Sequence, residues 1–157
     1  MKEAMFYRKM GRKNVKCCLC QRNCLIADGK TGFCKVRQNH DGKLFSVFYG
    51  RPCSVAIDPI EKKPFFHFAP GSKTLSIAFF GCNLSCSFCQ NWQISQKWDK
   101  LHGEHIQKEI IEPEKIVRIA LENNSAGISY TYTEPTVFFE YAFETMKLAK
   151  KAGLYNT

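Results

Sequence analysis

The sequence lacks any apolar run that approaches the ~20 residues needed to span a bilayer. Its first residues, Met1–Lys16, carry positive charge but no apolar stretch of the kind found in secretory signals. No internal repeat and no low-complexity tract is present. A hydrophobic content of 45% and a charged content of 24% are those of a soluble globular protein, and 157 residues suffice for one ordinary domain with a buried core.

Acidic residues are scarce relative to basic ones: 14 Asp and Glu stand against 23 Lys and Arg, which gives a net charge of +9. Residues 1–43 hold most of this excess, with 11 basic residues against Glu3, Asp28 and Asp41. Such a segment suits a nucleic acid or an acidic partner protein, and it equally suits a solvated surface. Only Phe33 among residues 17–43 could stack on bases, which disfavours nucleic-acid binding.

Cysteine, in contrast, is abundant, with nine residues and no export signal. This combination indicates metal ligation in a reducing cytoplasm rather than disulfides. Cys82, Cys86 and Cys89 follow a C-x3-C-x2-C spacing, with the aromatic Phe88 directly before the third cysteine. Three close thiolates can hold three irons of a cubane iron–sulfur cluster and leave the fourth iron open. Three unrelated buried thiols, or half of a zinc site, are the alternatives.

A second candidate metal site consists of Cys17, Cys20, Cys24 and Cys34, with the spacing C-x2-C-x3-C-x9-C. Four thiolates suit either zinc or an auxiliary iron–sulfur cluster, and the sequence leaves both open. Cys18 is predicted to be spare, and Cys53 to be a buried thiol. No ligand role is assigned to the four histidines, His40, His67, His102 and His105. An alternative hypothesis for the whole chain is a zinc- or iron–sulfur-binding module with a basic surface for nucleic acid or a partner protein.

The predicted organisation has three parts: a basic cysteine-rich module (1–43), a β-rich connector (44–73) and an α/β region (74–157). In the last part we predict a strand at Thr74–Phe80, a helix at 113–122, a strand at Ile128–Thr133 and a long helix capped by Thr136. A third strand begins at Leu154-Tyr155. Strands that alternate with helices form parallel β/α units, with the carboxyl ends of the strands at one edge. The loop Cys82–Cys89 and the segment Glu134-Pro135 both follow strands, so both are expected at that edge.

The segment from Thr74 to Thr157 is far shorter than the ~250 residues of a closed β/α barrel. We therefore expect a partial barrel: a truncated gene product, an incomplete sequence, one part of a split protein, or a fragment that folds only with a partner. Turnover by such a chain alone is expected to be weak or absent.

Several ordered motifs resemble those of the AmmeMemoRadiSam-system radical S-adenosylmethionine (SAM) enzymes, relatives of the pyruvate formate-lyase activating enzymes. The matching stretches are Cys17-x-x-Cys20-x-x-x-Cys24, Gly32-Phe33-Cys34-Lys35-Val36-Arg37, Tyr49-Gly50-Arg51-Pro52, Asp58-Pro59-Ile60-Glu61-Lys62-Lys63-Pro64, His67-Phe68-x-Pro70-Gly71-Ser72, Gly81-Cys82 through Gln96, and Tyr130-Thr131-Tyr132-x-Glu134-Pro135-Thr136. The resemblance covers nearly the whole chain but about the first half of the family's length.

The resemblance implies a 4Fe–4S cluster on Cys82, Cys86 and Cys89 that reductively cleaves SAM to a 5′-deoxyadenosyl radical. That radical abstracts hydrogen from a substrate, and in the activating enzymes this substrate is a protein. Phe88 would lie against the adenine of SAM, and Thr133 and Glu134 would hold its amino group, although Tyr132-Thr133 replaces the family's two glycines. A solvated loop carboxylate is the alternative for Glu134. A flavodoxin- or ferredoxin-type reductant is implied, with Memo-like and AMMECR-like proteins as partners, and no catalytic residue beyond the cluster ligands.

Overall fold

The computed structural model describes residues 1–101 and 109–157, without the side chains of Lys100 and Leu101. His102 and His105, to which no ligand role was assigned, lie outside the described residues. The fold is mixed α/β and contains a partial β/α unit rather than a closed barrel in the described part of the chain. No helix in this part is long and apolar enough to cross a membrane.

The central sheet has four strands in the order β10-β9-β8-β7. Strands β8 (Lys73–Ala78), β9 (Gly127–Tyr130) and β10 (Tyr155–Asn156) are parallel, as predicted from the alternation of apolar strands and helices. Strand β7 (Ser54–Pro59) adds an antiparallel edge, with Ser54 opposite Ala78. Strands β8 and β9 are buried on both faces, which explains why their sequences are mostly apolar and small.

Helix α3 (Pro113–Glu122) has the bounds that the sequence predicts. Pro113 occupies the first turn, where its missing N–H costs nothing, and Glu112 is the N-cap residue. The side chains of Ile116, Val117 and Ala120 are buried and form the stripe that packs against the sheet.

Helix α4 (Phe139–Lys151) follows a 3-10 turn, Pro135–Phe138, and therefore begins later than predicted. Thr136 does not cap α4: it lies within the 3-10 turn, and Glu134 is the N-cap residue of that turn. The carboxylate of Glu134 accepts the Thr136 N–H at 3.2 Å. One face of the turn and of α4 is buried or half-buried and packs toward the core: Val137, Phe138, Tyr141, Ala142, Thr145, Leu148 and Ala149. Two short helices, α1 (Trp92–Ser95) and α2 (Trp98–Leu101), follow β8 along the chain.

Residues 2–46, here called the N-terminal β region, form two three-stranded sheets. One sheet has the order β2-β3-β4 and the other β1-β6-β5. Their small core consists of Ala4, Val15, Cys17, Ile26 and Leu44. The bounds of their strands are β1 Lys2–Glu3, β2 Tyr7–Lys9, β3 Val15–Cys17, β4 Leu25–Ile26, β5 Arg37–His40 and β6 Lys43–Ser46.

The β-rich connector predicted at 44–73 is divided between two sheets. Its first residues belong to β6 and its middle contains β7, and the chain turns between these strands at Gly50, where φ is +72°. The β5–β6 hairpin crosses position 43, which was the expected end of the cysteine-rich module. The division into domains at that position stays a prediction.

Candidate metal and cofactor site

The loop after β8 carries Cys82, Cys86 and Cys89, all free and half-buried. Gly81 begins the loop with φ at +87°, a conformation that favours glycine. Its N–H donates to the Ile94 carbonyl at 2.9 Å and so fixes the start of the loop on α1. The Cys82 Sγ accepts the Leu84 N–H at 3.4 Å, and the Cys89 Sγ lies 3.4 Å from the Ser95 Oγ.

A cavity of about 830 Å³ opens beside this loop, a size within the range of small-molecule sites. The three cysteines lie on its lining together with residues that follow β9. Thr133 and Glu134 are among them, so the structure brings five of the six predicted cluster and SAM residues to one cavity. The expectation that both loops meet at the carboxyl edge of the parallel strands is met because β8 and β9 are adjacent and parallel.

The segment Tyr132–Glu134 is held to its neighbours by hydrogen bonds. Thr133 Oγ1 donates to the Phe79 carbonyl at 2.8 Å and is buried. Asn91 Nδ2 donates to the Tyr132 carbonyl at 2.9 Å, which joins this segment to the end of the cysteine loop. Glu134 Oε1 accepts the Thr136 hydroxyl at 2.6 Å, so its carboxylate is oriented by the 3-10 turn as well as lining the cavity.

Phe88 is 84% exposed and is not among the described residues that line the cavity. Its predicted position against an adenine would require the ring to turn inward, and this role stays a prediction. Of the two tryptophans after the loop, Trp98 packs in the core, with its ring centroid 4.9 Å from that of Phe48 and 5.6 Å from that of Phe80. Trp92 is 43% exposed.

A buried carboxylate behind the cavity was not anticipated from the sequence. Asp58, at the end of β7, accepts hydrogen bonds from Lys62 at 2.7 Å, Lys63 at 2.8 Å and Ser76 at 2.6 Å, and also from the Tyr132 hydroxyl. Burial raises the pKa of Asp58, but these hydrogen bonds outweigh burial and hold it well below its usual range. Lys62, Lys63 and Tyr132 line the cavity, so the network braces one of its walls. The motif Asp58-Pro59-Ile60-Glu61-Lys62-Lys63-Pro64 contains the carboxylate and both lysines, but the contacts of Asp58 with Ser76 and Tyr132 join residues far apart in the sequence.

The four cysteines of the N-terminal β region also lie together. Cys17, Cys20, Cys24 and Cys34 line a second, smaller cavity of about 20 Å³. Burial raises the pKa of the Cys17 and Cys34 thiols. Cys18 is exposed, as predicted for a spare residue. Cys53 is half-buried rather than buried and packs against the main core.

Within residues 1–101 and 109–157, no three His, Cys, Asp or Glu side chains already form a ready-made ligand set for one metal ion. The donor chemistry nevertheless fits a thiolate-bound metal at both places, since free cysteines share one cavity in each case. The first cavity has room for a cluster together with a small molecule, whereas the second has room for little more than one ion.

The fold and the first cavity define an α/β protein with a three-thiol loop and a carboxylate at the carboxyl edge of parallel strands. The chain belongs to the radical SAM superfamily, whose family description matches residues 76–157, just over half of the sequence. Membership of this family implies a 4Fe–4S cluster and SAM as cofactors. It does not distinguish the AmmeMemoRadiSam-system enzymes from other members.

The chain is also similar to a protein from Methanocaldococcus jannaschii named "Uncharacterized protein MJ0808", with 48% identity over 156 residues. The alignment covers 99% of this chain and 46% of the relative, so the chain spans about half the length of the curated relative that it matches. No solved structure matches the chain.

Proposed function

We propose that this protein is a radical SAM enzyme of the AmmeMemoRadiSam type, with Cys82, Cys86 and Cys89 as the cluster ligands. The observation that carries the proposal is that these three thiols share one cavity with Glu134, although the two groups are far apart in the sequence. A three-cysteine loop leaves one iron without a protein ligand, and the cavity gives the cofactor at that iron a place to lie.

When bound, the cluster supplies the electron that cleaves SAM to methionine and a 5′-deoxyadenosyl radical, which abstracts hydrogen from the substrate. The protein's own task is to hold the cofactor and to exclude water. The Glu134 carboxylate and the Thr133 backbone would accept the N–H groups of the SAM ammonium, a charge-assisted interaction. Thr136 and Phe79 keep these acceptors in place through the hydrogen bonds already described.

For the substrate of this reaction, we propose only a chemical class. Similarity to activating enzymes favours a protein substrate that acquires a glycyl or similar radical. A flavodoxin- or ferredoxin-type protein would deliver the electron, and Memo-like and AMMECR-like proteins would be the partners. Because the chain spans 46% of its relative, residues that contact the substrate and the SAM ribose are expected in the part of the relative outside the alignment.

The test begins with protein purified without oxygen, reconstituted with iron and sulfide, and examined by iron analysis and by electron paramagnetic resonance (EPR). We expect a reduced 4Fe–4S signal that changes when SAM is added. Cys86→Ala should abolish this signal, whereas the control Cys18→Ala removes an exposed cysteine and should retain it.

A protein that binds zinc but no iron–sulfur cluster would overturn the proposal. So would a cluster that survives in the Cys82→Ala/Cys86→Ala/Cys89→Ala variant. Release of 5′-deoxyadenosine under reducing conditions then measures cleavage of SAM.

A further inference from the structure

We propose that Cys17, Cys20, Cys24 and Cys34 bind a single zinc ion, and that this zinc site fixes the loop that carries Cys82. The first part is independent of the proposed function. The second part rests on it, because its readout is the loading of the cluster.

Two turns bring the four thiols together. Strand β3 ends at Cys17, and the Cys17 N–H donates to the Cys24 carbonyl at 2.9 Å, which closes the first turn. Within that turn the Asn23 N–H donates to the Cys20 carbonyl at 3.1 Å. Cys34 lies in a second turn, closed by the Lys35 N–H on the Gly32 carbonyl at 2.9 Å. The backbone thus places all four cysteines on the lining of one cavity without a metal, and binding of an ion would have to bring their sulfurs together.

The size of the four-cysteine cavity indicates which kind of metal centre it favours. Its volume of about 20 Å³ is close to the ~10–15 Å³ that a single water-sized sphere requires. This space is about the size of one ion and far smaller than the first cavity, which favours a single ion over a four-iron cube. Among the described residues that line the cavity there is no carboxylate and no imidazole, so the donors are thiolates alone. A closed tetrahedral set of four thiolates is a structural zinc site rather than a catalytic one.

Charge in and around the cavity suits a tetrathiolate zinc site, which carries two net negative charges. The guanidinium groups of Arg22 and Arg37 both line the cavity. Arg37 is already paired with Glu140, so Arg22 supplies the additional positive charge. Arg22 is held there by stacking on the Phe33 ring, with the guanidinium carbon 3.8 Å from the ring centroid.

The same cavity touches the cluster loop. Arg22 Nε donates to the Asn83 carbonyl at 3.0 Å, directly after Cys82, and Asn83 itself lines the cavity. On the other side of Cys82, Gly81 packs so closely on the Cys34 carbonyl that a Cβ at position 81 would lie 2.5 Å from that oxygen. These two contacts connect the four-cysteine site directly to the start of the cluster loop. A metal that holds the four cysteines in place would therefore also hold the start of this loop.

The first test measures zinc by elemental analysis in the full chain after reconstitution and removal of excess metal. We expect one zinc per chain, with four sulfur neighbours at about 2.3 Å by X-ray absorption. Cys24→Ser should lose the zinc, and the neighbouring exposed residue supplies the control, since Cys18→Ser should keep it. Cys24→His keeps a ligand type that zinc accepts and should retain the ion if the serine variant fails to fold.

The Cys82→Ala/Cys86→Ala/Cys89→Ala variant separates this proposal from the proposed function, because it should still bind one zinc whether or not the wild type assembles a cluster. Iron and sulfide in place of zinc in that variant would overturn the metal assignment. If the single variants Cys24→Ser and Cys34→Ser both keep their full zinc content, the assignment of the ligands is wrong.

The positioning role is tested by cluster loading. Arg22→Ala should incorporate at least twofold less iron than the wild type, because the contact with Asn83 is lost. Arg12→Ala, in an exposed turn, is the matched control and should load iron as the wild type does. If Arg22→Ala and Cys24→Ser each bind as much iron as the wild type does, the zinc site does not position the loop.

Discussion

Arg37 and Glu140 form a fully buried ion pair that joins the N-terminal β region to helix α4. Their side chains are 2% and 1% exposed, and Nη2 of Arg37 lies 2.7 Å from Oε2 of Glu140. The same guanidinium donates from Nη1 to Oε1 at 2.8 Å and from Nε to the Val137 carbonyl at 3.2 Å. The Met5 N–H also donates to the Glu140 carboxylate, so three segments of the chain meet at one carboxylate.

Glu140→Gln is expected to lower the free energy of unfolding by about 3–5 kcal/mol, because it leaves the Arg37 guanidinium buried without a counter-charge. Urea denaturation followed by circular dichroism measures the change. Glu122→Gln is the matched control: its pair with Arg118 is exposed and should be worth about 0.5 kcal/mol or less. A loss of less than 1 kcal/mol in Glu140→Gln would mean that the pair does not hold the two regions together.

The three parallel strands of the central sheet and helix α3 were predictable from the sequence because their signals are local. The apolar run that became β8 and the stripe of Ile116, Val117 and Ala120 on α3 each depend on residues within a few positions of one another. The parallel arrangement then follows from the alternation of elements, and the shared edge for the cysteines and Glu134 follows from the parallel arrangement.

The structural features that the sequence did not predict depend on contacts between residues that are far apart in the chain. Strand β7 joins the sheet as an antiparallel edge, and Asp58 at its end meets Tyr132, which is 74 positions away. Strands β1 to β5 of the N-terminal β region are only two to four residues long, too short for a period to be recognised. The start of α4 was misplaced because Thr136 looked like a cap, while the carboxylate of Glu134 performs that role for the preceding 3-10 turn.

Asp58→Asn is expected to lower stability at neutral pH, since the change removes the counter-charge of the buried Lys63 ammonium. The pKa of Asp58 in the folded protein lies below that of an unfolded aspartate, about 3.9. Its ionised form therefore stabilises the fold above about pH 4, and this contribution is lost as the pH falls through the folded-state pKa.

The difference in unfolding free energy between wild type and Asp58→Asn should consequently be largest near pH 7 and shrink below about pH 4. Denaturant titrations at several pH values measure it. Asp41→Asn, which removes an exposed partner of Lys13, should leave stability nearly unchanged at each pH. A difference between wild type and Asp58→Asn that grows on acidification would contradict the assigned direction of the pKa shift.

Cys53 should react slowly with alkylating reagents in the folded protein. Burial raises the pKa of its thiol to about 12, so very little thiolate is present at pH 8, and thiolate is the reactive form. Mass spectrometry after timed treatment with iodoacetamide should show Cys18, which is exposed, modified at least tenfold faster. Denaturation should remove the difference, and similar rates in the native state would contradict the protected environment of Cys53.

Gly81→Ala should destabilise the protein more than the same change at Gly153. Both glycines have positive φ, +87° and +77°, so alanine introduces a comparable backbone strain of about 1–2 kcal/mol at each. At Gly153 nothing lies within 4 Å of the added Cβ, whereas at Gly81 the Cβ would come within 2.5 Å of the Cys34 carbonyl oxygen and a Val36 methyl group. Relieving this overlap costs a further ~1–3 kcal/mol, since one contact is backbone and cannot rotate away.

Position 81 directly precedes Cys82, so a backbone shift at position 81 should also affect binding of the cluster. Gly81→Ala is expected to bind less iron after anaerobic reconstitution, even at a temperature where circular dichroism shows it to be folded. Gly153→Ala supplies the comparison for backbone strain alone and should load iron normally. Equal iron content in the two variants would mean that the loop tolerates a shift away from Cys34, and the close packing of the two cysteine sites would then have no part in forming the cluster.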